Sequence, residues 1–142
     1  MTLYEIVNEF LDIARKQPNI NYVGEGDIYE LNHLPNLDYG VFFVTQTNHT
    51  VNEDTIEYIL TLFYVDRLLP DGSNTLQIQS QSMLVLNNII NIFNQLNPDV
   101  SIEGGINFTT FTHRFADNCG GSFCNVTITT DNQIGICGYE WE

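Results

Sequence analysis

The stretch TIEYILTLFYVDRL, residues 55–68, is the strongest indication of the architecture because apolar side chains alternate along it on both sides of an extended chain. One side carries Ile56, Tyr58, Leu60, Leu62 and Tyr64, and the other carries Ile59, Phe63 and Val65 among polar residues. Successive side chains of a strand point to opposite faces of a sheet. A strand that is apolar on both faces is covered on both or used at an interface, so this stretch predicts a central strand.

The segments around this strand extend the prediction to a whole sheet. YGVFFVTQT, residues 39–47, is rich in strand-forming residues, and the polar stretch 48–55 predicts a hairpin loop. Further strands are predicted over 22–31 (a short strand or extended arm), 106–115, 123–130 and 134–141. The apolar phase changes near Thr110, which predicts a bulge. Gly120 and Gly121 are expected to form a hairpin turn.

Two segments predict helices. Apolar residues recur at helical spacing from Leu3 to Ala14, Thr2 and Glu5 fit a capping box, and Pro18 stops the chain from continuing as a helix. The prediction is a helix over residues 2–16.

The second helix is predicted over residues 74–97, with Asn74 as its cap. Its apolar stripe includes Leu76, Met83 and Leu96, and its breadth predicts packing on the sheet and on a neighbour as well. Its polar side carries amides instead of charges: Gln79, Gln81, Asn87, Asn88, Asn91 and Asn94. An uncharged polar face buries more cheaply against a partner than a charged one, so both an interface and a plain solvated surface fit this side.

The resulting order α–(β)–β–β–α–β–β predicts an α+β fold, a mostly antiparallel sheet with two helices on one face. A chain of 142 residues suits one domain, 1–142, with one core. No apolar run approaches the roughly 20 residues of a membrane span. The first residues have no basic region or cleavage site of a signal peptide, so we expect a protein found or assembled in the cytoplasm.

Charge is the most unusual global feature. Eighteen acids against four bases give a net charge of −14. Affinity for phosphate comes mostly from Lys and Arg, so a protein that grips DNA is disfavoured. The balance fits plain solubility, or a surface that stays near DNA without adhering to it, since like charges repel. With so few bases, we expect Arg67 and Arg114 to have acidic partners, within or between chains.

The stretch RFADNCGGSFCNV, residues 114–126, holds the residue types of a reactive cluster. The cluster comprises His113, Asp117, Cys119, Cys124 and, further on, Cys137. A thiol nucleophile, a structural metal site and a disulfide are the alternatives to a plain core strand. Acidic surroundings disfavour a thiolate, and Cys124 is in phase with Val126 and Ile128, which favours a core side chain. No catalytic residue, metal ligand or cofactor is expected.

The order of these signals resembles a family of short proteins in the head–tail gene modules of phages and prophages of Bacteroidales, including crAss-like phages. The resembling segments are KQPNINYVGEGDIYELN (16–32), FYVDRLLPDGSNTLQIQSQ (63–81) and FTHRFADNCGGSFCNVTI (111–128). The resemblance spans nearly the whole chain. Its most specific part is the Asp66-Arg67 strand end with the turn and glutamine-rich helix start that follow.

The resemblance implies a non-enzymatic neck or tail-completion protein of the virion, similar to tail terminators. Such a protein is expected to form a homo-oligomeric ring of 6- or 12-fold symmetry, to contact the portal and other ring proteins, and to let viral DNA pass through. The candidate interface residues are Asp66, Arg67, Gln79, Asn87, Asn91 and Arg114, and the candidate channel-lining acids are Glu53, Asp54 and Glu57. The alternative is a soluble acidic regulatory or inhibitor domain that mimics nucleic acid.

Overall fold

The architecture, seen in a computed structural model, is a six-stranded sheet with two helices over the part of the chain that the structure describes. The structure describes residues 1–27, 39–112 and 118–132. The elements are α1 (Leu3–Arg15), β1 (Tyr22–Glu25), β2 (Val41–Val51), β3 (Thr55–Arg67), α2 (Thr75–Leu96), β4 (Ser101–Ile102), β5 (Phe108–Thr112) and β6 (Cys119–Asp131). The predicted α+β class is confirmed, with the two-residue strand β4 as an addition.

The strand β3 lies at the centre of the sheet, as its two-sided pattern predicts. It pairs with β6 from Thr55–Asp131 to Arg67–Cys119 and with β2 on its other side. The short β1 runs parallel to β2, and the other pairings are antiparallel. Both β5 and β4 pair with the outer edge of β6, one against its first half and one against its second.

Both helices pack on one face of the sheet. The even-numbered side chains of β3 face them, from Tyr58 to Tyr64, together with Cys124, Val126 and Ile128 of β6. The rings of Phe10 in α1 and Phe93 in α2 stack with centroids 4.2 Å apart, and both are fully buried. The main core therefore lies between the helical layer and the sheet.

Two buried serines tie α2 to the sheet within this core. The hydroxyl oxygens of Ser82 in α2 and Ser122 in β6 lie 2.8 Å apart, and both side chains are fully buried. The Ser82 hydroxyl also lies 2.7 Å from the carbonyl oxygen of Gln79. A buried polar pair of this kind fixes the position of the helix on the sheet, because an unpaired hydroxyl there is costly.

The opposite face of the sheet has an apolar half and a polar half. The apolar half is a second cluster of buried residues: Val41, Phe43, Phe63, Val65 and Cys119. The polar half lies toward the β2–β3 hairpin, where Thr61 Oγ1 donates to Asn125 Oδ1 and approaches Thr47 Oγ1 at 3.2 Å. The apolar residues found on both faces of β3 explain why its sequence alternates between two apolar sets.

The predicted N-terminal cap is present in α1 but not in α2. In α1, Thr2 and Glu5 form the predicted capping box, with each side chain bonded to the other's backbone N–H. In α2, Asn74 holds the N-cap position but makes no side-chain cap bond. Its Oδ1 instead accepts from the Leu69 N–H at 2.8 Å, so this side chain stabilises the preceding turn.

Three local predictions about strands are wrong. Gly120 and Gly121 lie inside β6 and pair with Asp66 and Val65 of β3, so they form no hairpin turn. The pairing of β5 with β6 is regular through Thr110, without a bulge. The loop predicted over residues 48–55 is shorter, because β2 continues to Val51. The register irregularity falls instead in β2, between Gln46 and His49.

Some predicted features lie outside the described residues. These are the strand over 134–141, the distal part of the 22–31 arm, and His113, Arg114, Asp117 and Cys137. Within the described ranges, neither helix is long and apolar enough to cross a membrane.

Candidate functional site

The cysteines of the 114–126 stretch lie on opposite faces of the sheet. Cys119 belongs to the second buried cluster and Cys124 to the main core, so no disulfide joins them. Burial raises the pKa of the Cys124 thiol to about 12, which keeps the thiol protonated and unreactive at neutral pH. The described residues also contain no group of three or more His, Cys, Asp or Glu placed to hold a metal ion.

The candidate interface pair Asp66-Arg67 ends β3, and its side chains serve different contacts. Asp66 Oδ2 accepts from the Tyr64 hydroxyl at 3.3 Å, and Oδ1 accepts from the Arg67 N–H at 2.8 Å. The Arg67 guanidinium lies over the ring of Tyr39, 4.9 Å from its centroid. The Arg67 side chain therefore has an aromatic neighbour, while Arg114 lies outside the described residues.

The candidate residues of α2 fall into two groups. Asn87 and Asn91 are exposed and lie on one side of the helix. Gln79 is half-buried and points to the sheet edge, where its Nε2 lies 3.5 Å from the carbonyl oxygen of Phe111. The structure thus brings Asn87 and Asn91 together and assigns Gln79 to a contact within the chain.

The apolar stripe of α2 is rotated relative to the predicted one. Ile78, Val85, Leu86, Ile89, Ile90 and Phe93 are buried with Ser82. In contrast, Leu76 is 79% exposed, Leu84 is 68% exposed and Met83 is 39% exposed. Leu76 and Met83 belong to the predicted stripe, as does Leu96, which is exposed as well, and the sheet covers none of the three. The helix has more apolar residues than the sheet can cover, so some of them must lie outside.

The outward side of α2 forms one continuous uncharged surface, which we call the outer face of α2. At 100° per residue, its members fall within a sector of about 100°: Leu76, Ser80, Met83, Leu84, Asn87, Asn91 and Asn94. No Asp, Glu, Lys or Arg occurs in the 22 residues of the helix. In a chain with a net charge of −14, an exposed helix without charge is unusual.

The candidate channel acids lie at one end of the molecule, which we call the acidic end. Glu53 and Asp54 form the turn between β2 and β3, and Glu57 follows in β3 opposite Thr129. The pairing of β6 and β4 brings three more acids to the same end: Asp99, Glu103 and Asp131. Sequence reasoning missed these three, because only the strand register relates them to the hairpin.

The described bases lie toward the opposite end. Arg67 ends β3, roughly 40 Å along the strand from the acidic turn at about 3.3 Å per residue. Arg15 and Lys16 end α1, and the chain just beyond them meets the same end of the sheet, since the Asn19 carbonyl oxygen accepts from the Tyr64 hydroxyl. Among the residues that the structure describes, no Lys or Arg therefore lies at the acidic end.

Comparison with known proteins adds no functional assignment. No protein-family model matches the chain, and no curated protein matches it. One matching solved structure is the "Mycobacterial sensor histidine kinase MprB", at 11% sequence identity and a TM-score of 0.31, covering 92% of this chain and 95% of that chain. A likeness this low supports no argument about function, so any proposal for this chain rests on its own residues.

Proposed function

We propose that this chain is a non-enzymatic structural subunit of a phage virion that forms a ring in the neck or head–tail connector. Subunits of the ring join the portal to the tail, and DNA passes through the centre. The observation that carries the proposal is the separation of charge, with six carboxylates at one end and a long uncharged helix elsewhere on the surface.

The acidic end suits the lumen of such a ring. Carboxylates repel the phosphate backbone, so DNA slides past them without being held. The hairpin turn with Glu53 and Asp54 is exposed, and we assign it to the channel wall with Glu57 beside it.

The surfaces without an excess of acids suit contacts between subunits. Bringing together many copies that each carry −14 is costly wherever acids face acids. Asn87 and Asn91 on α2, and the Asp66-Arg67 end of β3, offer contacts without that cost. Arg114 completes the candidate set as one of the four bases of the chain.

Purified virions provide the test. Mass spectrometry should detect the chain in them, and a cryo-EM map of the neck should contain it as a ring. Absence of the chain from virions would end the proposal.

The channel assignment needs a matched comparison of charge variants. Glu53→Gln with Asp54→Asn should slow DNA ejection from assembled particles, whereas Glu9→Gln with Glu25→Gln removes the same charge elsewhere and should not. Equal ejection kinetics for the two double variants would show that the hairpin does not line the channel.

The acidic end also favours a second candidate function, a soluble inhibitor that mimics nucleic acid. Such a protein would bind a basic DNA-binding partner through the same six carboxylates and would be missing from virions. Detection in the virion neck separates the two functions.

A further inference from the structure

We propose that the outer face of α2 is the contact surface of a two-fold symmetric dimer of this chain. The dimer proposal does not depend on the proposed function. The dimer would regulate ring assembly, because Asn87 and Asn91 lie on the same face. The occupant is a second copy of α2, crossing the first in the antiparallel sense near Ser80.

The spacing of the exposed residues is self-complementary about Ser80. Leu76 and Leu84 lie four residues before and four residues after it, on the same side of the helix. In a two-fold contact, residue i meets j while j meets i. An axis at Ser80 therefore sets each Leu76 against the partner's Leu84, and the small serine lets the two helices approach closely.

The surface next to Leu84 has the shape for this contact. A shallow groove separates α2 from the end of α1 and is lined by Gln17, Pro18, Val85 and other uncharged residues. Rows of side chains spaced four apart pack into such grooves when helices cross. We assign this groove to the Leu76 side chain of the second copy.

The charge distribution favours association with a second copy of the chain in the antiparallel orientation. The helix carries no charge, so two copies meet there without placing acid against acid. The acidic end lies beyond the C-terminus of α2, about 24 Å along the helix from Ser80 at 1.5 Å per residue. Antiparallel crossing points the two acidic ends in opposite directions, whereas a parallel dimer would bring them together.

The size of the contact predicts a reversible dimer. Two leucines and a methionine from each copy make a small apolar contact, and interfaces below about 1,200 Å² of total buried surface are typical of weak, transient association. The helices diverge away from the crossing point, so Asn94 lies outside the contact. A dimer closed in this way covers Asn87 in part and delays any assembly that uses it.

The test uses the full chain in solution. Sedimentation velocity over a range of concentrations should show a monomer–dimer equilibrium, and Leu84→Glu should raise the dissociation constant at least tenfold. Asn94→Glu introduces the same charge on the same helix and should change it less than threefold. Circular dichroism should confirm that both variants stay folded.

Crosslinking locates the axis. In a Cys137→Ser background, Ser80→Cys should form a disulfide with its own copy under mild oxidation, because that bond needs Cα atoms about 5.5 Å apart. Asn94→Cys should not. A monomer at all concentrations, an equal effect of both glutamates, or a dimer that Ser80→Cys fails to crosslink would each overturn the proposal. Loss of the dimer would leave the virion test unaffected.

Discussion

The two serines between α2 and β6 should have unequal and non-additive effects on stability. Each hydroxyl has one proton, and a carbonyl oxygen only accepts. Since the Ser82 hydroxyl lies 2.7 Å from the Gln79 carbonyl oxygen and 2.8 Å from the Ser122 hydroxyl, it donates to the carbonyl. The bond between the serines then takes its proton from Ser122.

The hydrogen bonds that remain therefore depend on which of the two hydroxyls is removed. Ser82→Ala leaves the buried Ser122 hydroxyl without that partner and should lower the free energy of unfolding by about 1–3 kcal/mol. Ser122→Ala leaves Ser82 bonded to Gln79 and should cost only about 0.5–1.5 kcal/mol. The double variant has no unpaired hydroxyl, so its loss should fall below the sum of the single losses by roughly 1 kcal/mol.

Urea unfolding followed by far-UV circular dichroism measures these differences, provided that the dependence on urea concentration stays constant among variants. Ser80→Ala is the matched control, because this serine is exposed on the same helix and its loss should change stability by less than about 0.5 kcal/mol. Strictly additive losses, or a larger loss for Ser122→Ala than for Ser82→Ala, would show that Ser122 does not donate the proton of the bond between the two serines.

Three further predictions concern local features. Gly121→Ala should lower the free energy of unfolding by at least about 1–3 kcal/mol, because its Cβ would lie 3.0 Å from a backbone carbonyl carbon of β3. Gly104→Ala is the control, since its Cβ would have nothing within 4 Å and should leave stability in urea unchanged. Equal losses for the two variants would contradict this. Thr2→Ala should cost about 1 kcal/mol. The hydrogen bonds of the capping box lower the pKa of Glu5, so the box stabilises the folded protein above the unfolded pKa and loses this contribution as pH falls through the folded pKa. Thr2→Ala should therefore lower the melting temperature less at pH 3 than at pH 7. Cys124, with its pKa raised to about 12, should react with iodoacetamide only after unfolding; rapid labelling of the native protein would count against this. Because the thiol ionises more readily in the unfolded chain, the free energy of unfolding should fall only as pH rises above about 9.

The parts of the fold that the sequence predicts are those set by local periodicity. Alternation over residues 55–65 identifies the central strand, because a two-sided apolar pattern has few other uses. Helical spacing and the Thr2–Glu5 box identify α1 within one residue at each end. In both segments, the residues that carry the signal are those that make the contacts.

The wrong predictions arise where the deciding contact is distant in sequence. Gly120 and Gly121 have the composition of a turn, yet both pair with β3, and at Gly121 the backbone of β3 comes so close that a side chain would block the pairing. Leu76 is as apolar as the buried leucines of α2, and only the width of the sheet leaves it exposed. The grouping of Asp99 and Asp131 with the hairpin acids likewise depends on strand register, which a single sequence does not reveal.

The irregularity in β2 has a consequence for solubility. The strand β1 pairs only with residues 41–44 of β2, so the outer backbone of β2 beyond Thr45 meets no other strand among the described residues. A regular edge of this kind is a template for unwanted pairing with other chains. The shift between Gln46 and His49 interrupts the even spacing of backbone donors and acceptors. A long exposed hairpin is thereby kept from growing into an extended intermolecular sheet.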